Sequence, residues 1–173
     1  MELIKKLREL TGAGVIDCKR ALEEASGNFD KALENLKKRG IQIAQEKAGR
    51  TANQGLVESY IHTGGKIGVL VEVNCETDFV ARCDDFKRLA RDLAMQIAAG
   101  SPAYLQREDI PPEVLEERKG NGFDAFCKEH CLLEQSFIKD QTLTVRDLLT
   151  QVIAKVGENI VVRRFVRFQL GGS

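Results

Sequence analysis

Cys127, His130 and Cys131 fall at i, i+3 and i+4, which puts two thiols and an imidazole on one helical face. Zinc could use all three, but it needs a fourth ligand, and no CxxC pair is present to supply one. Cys75, Cys83 or His62 would have to arrive through the fold, and two cysteines on a half-buried helix is the plainer account. A Cys–His nucleophile needs a base, an orienting group and an oxyanion hole. His62 and His130 are the available imidazoles, and neither lies in a nucleophile motif. Gly12-Ala13-Gly14 is not preceded by a strand and lacks a following Lys-Ser/Thr, so it is not a phosphate loop. Arg163-Arg164-Phe165-Val166-Arg167-Phe168 alternates base and aromatic, a pattern that could pair phosphate contact with base stacking. The run is short, however, and reads as well as a sheet strand with Val162, Val166 and Phe168 on one face and Arg163 and Arg167 on the other.

A fourth stretch offers presentation rather than bond chemistry. Strand-forming residues 67–73 stop at Asn74, and a periodic helix begins near Asp84. Between them stand Thr77, Asp78, Phe79 and Val80. Two readings follow from the spacing. In one, the Asp caps a connection and the Phe folds back into the core. In the other, Phe79 is presented outward to enter a pocket on a partner.

The elements that position these groups follow from periodicity. Leu3, Ile4, Leu7 and Leu10 mark a first helix, broken at residues 11–14. Val15, Cys18, Leu22 and Ala25 mark a second, stopped by Gly27. Asn28 caps a third, which carries Phe29, Ala32, Leu33 and Leu36 and ends at Gly40. Each is too short to stand alone, so the three share one core. Val15 and Ile16 cannot both be buried with Cys18 and Leu22, so one of them is expected at the surface. Residues 41–50 are helical or linker and 51–55 are loop. Leu56, Glu58, Tyr60 and His62 then alternate with Val57, Ser59 and Ile61, and Thr63-Gly64-Gly65 turns into a second strand with Ile67, Val69, Val71 and Val73 on one face. Phe86, Leu89, Ala90, Leu93, Ala94, Ile97 and Ala98 form an apolar stripe on a helix over 84–99, which Asp84 or Asp85 can cap. Helical segments at 113–119 and 123–133 flank a break at 120–122. Thr144 and Asp147 make a capping-box-like start to a further helix, and a third strand covers 160–170.

Composition sets the bounds. The 173 residues allow one domain, or one plus a small module. Acidic and basic residues balance at 26 each, so no global field argues for nucleic acid or an anionic membrane. No apolar run approaches the roughly 20 residues of a membrane-spanning helix. The start of the chain reads as an amphipathic helix and not as a secretory signal. Five cysteines without framework spacing point to a reducing cytosol. The expected fold is α+β: a three-helix bundle followed by a three-stranded antiparallel sheet packed with helices.

Two long ungapped stretches resemble signatures of the elongation factor Ts family. The first is Leu7-Arg8-Glu9-Leu10-Thr11-Gly12-Ala13-Gly14-Val15-Ile16-Asp17-Cys18-Lys19-Arg20-Ala21-Leu22, and the second is Glu72-Val73-Asn74-Cys75-Glu76-Thr77-Asp78-Phe79-Val80-Ala81-Arg82. Residues 156–165 also look like the family's ending, so the resemblance covers nearly the whole chain. It implies a guanine-nucleotide exchange factor for elongation factor Tu, with no cofactor and no covalent chemistry. It implies a ubiquitin-associated-like bundle at 1–40, a linker at 41–54 and a core domain for dimerisation and GTPase binding at 55–173. Thr77, Asp78, Phe79 and Val80 would dock on the GTPase domain, Phe79 wedging between helices and, with Asp78, disturbing the bound magnesium and the phosphate loop. Arg8, Val15 and Ile16 match positions where the bundle grips a peripheral helix. Long members carry a second core half and a coiled-coil insertion for which this chain has no room. It is therefore similar to the short members, which pair as homodimers through their sheets. Val166 stands where some short members have a Cys, so no cross-link is expected there. His62 resembles a second contact turn and would reach the GTPase engaged mainly by the other protomer. Residues 115–130 are fewer than the short members lead one to expect, with Lys119-Gly120-Asn121-Gly122 where more helix would lie. The competing readings are a binding adaptor whose bundle recognises ubiquitin-like or other small domains, and an RNA-binding protein using the C-terminal strand.

Overall fold

Leu7, Cys18, Ala21, Ala25, Ala32 and Leu36 close a small core between α1 (Glu2–Thr11), α2 (Val15–Glu24) and α3 (Phe29–Lys47). The computed structural model describes residues 1–118, 120 and 122–172, so Lys119, the end of the expected 113–119 helix, and Asn121 of the expected 120–122 break lie outside the described residues. Asn28 caps α3 as expected, its side-chain oxygen accepting from the Lys31 N–H at 3.0 Å. Gly40 does not end α3. The helix continues to Lys47, because its later turns pack on the rest of the molecule: Gly40 faces Ala154, and Ala44 joins the main core. A glycine inside a helix costs about 1 kcal/mol, which such packing offsets.

The main core lies between one face of a sheet and α5 (Asp84–Gly100). β1 (Gln54–Ile61), β2 (Ile67–Cys75) and β5 (Ile160–Gln169) form an antiparallel sheet in the order β1-β2-β5. Val69, Val71 and Val73 point inward onto Phe86, Leu89, Leu93 and Ile97, as alternation and the helical stripe require. Gly55 pairs with Asn74 at φ +144°, and a Cβ there would stand 2.1 Å from the Val73 carbonyl oxygen. Only glycine allows β1 that approach. Between α5 and β5 the chain forms α6 (Pro112–Glu117), α7 (Phe123–His130), a short hairpin of β3 (Ser136–Phe137) and β4 (Asp140–Thr144), and α8 (Val145–Val156). The hairpin was not anticipated from the sequence. The α8 capping box was: Thr144 Oγ1 accepts from the Asp147 N–H, and the Asp147 carboxylate accepts from the Thr144 N–H.

Two details correct the sequence reading. Neither Asp84 nor Asp85 caps α5; Cys83 holds that position without a side-chain bond, and Asp85 instead takes the Lys155 ammonium at 2.7 Å. The faces of β5 also differ from strict alternation. A bulge opposite Glu72 and Val73 pairs Glu72 with Arg164 but Val73 with Val162, leaving Arg163 as an extra residue. An inserted residue reverses the phase of everything after it. Val162 is therefore buried with the core, while Val166 and Phe168 lie on the opposite, open face. Phe165 packs inward, and the partly buried Arg167 donates to the Ala98 carbonyl. Among the described residues, no helix is long and apolar enough to cross a membrane.

Candidate functional site

β2 ends at Cys75, and after two intervening residues α4 (Asp78–Arg82) begins. Thr77, not Asp78, caps this short helix: its Oγ1 accepts from the Val80 N–H at 3.3 Å. Val80, Ala81 and Cys83 pack against the main core, which turns the remaining face of the helix to solvent. Phe79 lies on that face and is 79% exposed. Of the two orientations that spacing allowed, the outward one is found. Asp78 is half-buried and pairs with Arg82 one turn on, at 2.7 Å.

Contacts from the other end of the chain hold the turn in place. The Glu158 carboxylate accepts from the Glu76 N–H at 3.1 Å, the Thr77 N–H at 3.0 Å and the Thr77 hydroxyl at 2.6 Å. Glu76 returns the contact, accepting from the Asn159 N–H at 2.7 Å and pairing with Arg50. The Asn159 amide donates to the Arg50 and Ala48 carbonyls just beyond α3. Glu76, Glu158 and Asn159 lie within the stretches that carry the resemblance, but no contact between them was expected, because nothing local in either stretch names a partner some eighty positions away. The Cys75 thiol donates to the Thr77 carbonyl, and burial together with Glu158 pushes its pKa up to about 11. That thiol is protonated at neutral pH and is a structural group rather than a nucleophile.

The other candidates lie elsewhere. Val15 and Ile16 open α2 and are both at the surface, 50% and 73% exposed, where one was expected; Arg8 is exposed on α1. His62 sits in the β1–β2 turn, its Nδ1 3.1 Å from the Tyr60 hydroxyl. It is at the opposite end of β2 from α4, roughly 30 Å away at the rise of a strand. The structure thus brings residues 77–80 together, separates His62 from them, and carries Arg8, Val15 and Ile16 on the bundle. Cys127 and Cys131 are buried with Ile110 in a third small core, and the His130 ring packs on Phe126 at 4.4 Å. Burial raises both thiols, Cys131 to about 12. The C-terminal basic and aromatic run is divided between two faces: Phe165 goes to the core, and Arg164 pairs with Glu72 at 2.7 Å.

The site therefore presents an aromatic side chain on a capped turn that is hydrogen-bonded at several points.

Comparison with known proteins bears on what this site is for. The family model described as "Elongation factor TS" matches residues 4–123 and 119–172. A protein of Carboxydothermus hydrogenoformans named "Elongation factor Ts" is 54% identical over 191 aligned residues, covering 98% of this chain and 88% of that protein. Proteins of the same name from Thermoanaerobacter sp. and Thermotoga sp. are 51% and 50% identical, covering 98% and 99% of this chain and 94% and 96% of theirs. The aligned length exceeds the 173 residues of the chain, so these relatives carry residues that it lacks. The family match divides at 119–123, where the sequence had looked short.

Proposed function

The chain belongs to the elongation factor Ts family, and from that premise we propose that it is a guanine-nucleotide exchange factor for elongation factor Tu in translation elongation. It acts by binding and not by covalent chemistry. A factor that binds the nucleotide-free GTPase more tightly than the GDP form weakens GDP by the same factor. Typical couplings of about 1–3 kcal/mol loosen GDP only modestly, so effective exchange calls for a larger differential. Residues 77–80 supply it: Phe79 wedges into the GTPase domain near the nucleotide, and Asp78 and Phe79 disturb the bound magnesium. The single observation that carries this reading is the exposure of Phe79 on a turn whose backbone is already fixed. A rigid apolar tip loses little conformational entropy on docking.

The bundle, residues 1–40, adds grip through Arg8, Val15 and Ile16, and the two exposed apolar side chains at the start of α2 support that role. Residues 41–54, which hold the last turns of α3 and the loop into β1, join it to the core at 55–173. Release of a fluorescent GDP analogue from elongation factor Tu is the test. A release rate unchanged at saturating concentration of this protein overturns the assignment and favours a binding adaptor or an RNA-binding protein.

A second reading concerns assembly. The face of the sheet turned away from α5 carries Val57, Ile61, Leu70, Val166 and Phe168, all exposed. We infer that two copies pair through this face. A protomer pair also lets His62, at the far end of β2 from α4, contact the GTPase engaged mainly by its partner. The cytoplasm is the compartment that fits a translation factor.

A further inference from the structure

We propose that Glu158, acting through its exchange of hydrogen bonds with the Glu76–Thr77 turn, is the positioning residue of the exchange tip, and that Asn159 ties the end of α3 to the same point. The inference rests on the exchange function proposed above and goes beyond it by naming what aims the tip.

The β2–β5 ladder ends at the pair Cys75 and Ile160. Beyond that pair neither strand has a partner for its backbone, yet the tip must hold its direction there. Glu158 takes over from the ladder. Its Oε2 accepts both the Glu76 and Thr77 N–H groups, and its Oε1 accepts the Thr77 hydroxyl. These bonds fix Thr77 in extended backbone at φ −125° and ψ 156°, the conformation an N-cap needs. The same hydroxyl, held by Glu158, accepts the Val80 N–H and so starts α4 in one direction. Phe79 is two residues from Thr77, and its outward aim follows from that start. Glu76 meanwhile accepts the Asn159 N–H, so the two turns hold each other reciprocally. Asn159, only 4% exposed, spends its side-chain amide on the Arg50 and Ala48 carbonyls. One short turn thereby fixes both the tip and the tether of the bundle. Gly157, at φ 75°, ends α8 and lets the chain double back into this position.

Hydrogen bonds to a carboxylate are among the stronger ones, and pre-organisation of this kind matters most when a partner docks. Glu158→Ala should lower the exchange rate on elongation factor Tu·GDP about tenfold, and by no more than the loss of the Phe79 contact itself, the low end of one hydrogen bond to a charged group. Glu158→Gln, which keeps one carbonyl acceptor, should fall between it and wild type. In the free full-length protein, Glu158→Ala should expose the Glu76, Thr77 and Val80 amides to hydrogen exchange while Val69, Val71 and Val73 stay protected. The deciding measurement is a double-mutant cycle with Phe79→Ala. If Glu158 works by aiming Phe79, Glu158→Ala adds little to the loss caused by Phe79→Ala. A general loss of structure would add in full, and that result overturns the proposal, as does exchange at the wild-type rate by Glu158→Ala. Should Glu158→Ala fail to fold, the cycle is run with Glu158→Gln. If the wild-type protein does not accelerate GDP release at all, the exchange function falls. Amide protection at Glu76 and Thr77 then still decides whether Glu158 holds the turn.

Discussion

Phe79→Ala separates the working surface from the folded core, because its two consequences are expected to differ sharply. The Phe79 ring is 79% exposed, so truncating it removes little packing from the free protein. Stability should stay within about 0.5 kcal/mol of wild type, as for other surface substitutions. Docking is another matter. Burying a phenylalanine side chain contributes about 1.5–3 kcal/mol. About four fifths of that surface remains to be covered on binding, which leaves about 1–2.5 kcal/mol for the partner to gain. At 1.4 kcal/mol per decade this is roughly a seven- to fiftyfold loss of exchange at subsaturating factor. Stopped-flow release of a fluorescent GDP analogue measures the rate, and thermal melting by circular dichroism measures the fold. Phe86 provides the opposite control. It is fully buried beneath the sheet, and Phe86→Ala should cost about 3–5 kcal/mol of stability. Wild-type exchange by Phe79→Ala would refute the wedge, and a melting temperature lowered by as much as that of Phe86→Ala would refute the idea that this side chain is free.

The open sheet face makes a separate prediction: Val166→Asp together with Phe168→Asp should convert a dimer to a monomer in sedimentation at micromolar concentration, whereas a wild-type protein that is already monomeric there removes the interface. Gly55→Ala should destabilise by about 3 kcal/mol, since its Cβ meets the Val73 carbonyl at 2.1 Å and its backbone lies at positive φ; an unchanged urea midpoint would contradict this. The buried thiols predict alkaline sensitivity. Folded Cys75 and Cys131 hold their protons to about 11 and about 12, while unfolded thiols ionise near 8.5. Above pH 8.5 the unfolded state binds fewer protons than the folded one, so stability falls as pH rises from there toward the folded values. Urea midpoints at pH 7.5 and 9.5 check the sign, Cys131→Ala should flatten the difference, and a midpoint that rises with pH would be the wrong sign.

The helices were legible because their signal is repeated. α5 declares one face in seven apolar residues over four turns, and the box of Thr144 and Asp147 marks the start of α8 within four residues. α4 has five residues, too few for a face to be read, and the direction of Phe79 depends on Glu158, 81 positions from Thr77. α3 runs through Gly40 for a similar reason: the glycine looks like a stop until Ala154 is seen to lie against it. In each case the missing information is a tertiary contact, and no window along the chain contains it.

β5 shows how a small local event can rearrange a surface. Its residues are apolar in both parities, with Val161, Val162, Phe165, Val166 and Phe168 all present, so period-two alternation has no way to reveal a change of phase. The bulge at Arg163 changes that phase once. Without it, Val162, Val166 and Phe168 would share the core side, and Phe165 would stand outside between Arg163 and Arg167. With it, Phe165 fills the core beside Val71, and Arg167 lies against Val69, reaching the Ala98 carbonyl. Val166 and Phe168 are left on the open face opposite Leu70 and Gly68. The open face is apolar because of one inserted residue. Deletion of Arg163 should therefore spare the surface: Val162 and Arg164 keep Val73 and Glu72 as partners, so Phe165 stays in the core and Val166 and Phe168 stay on the open face. Insertion of one residue between Phe165 and Val166 should instead reverse the phase once more and turn Val166 and Phe168 inward, and self-association in sedimentation that survives the insertion but not the deletion would refute the reasoning.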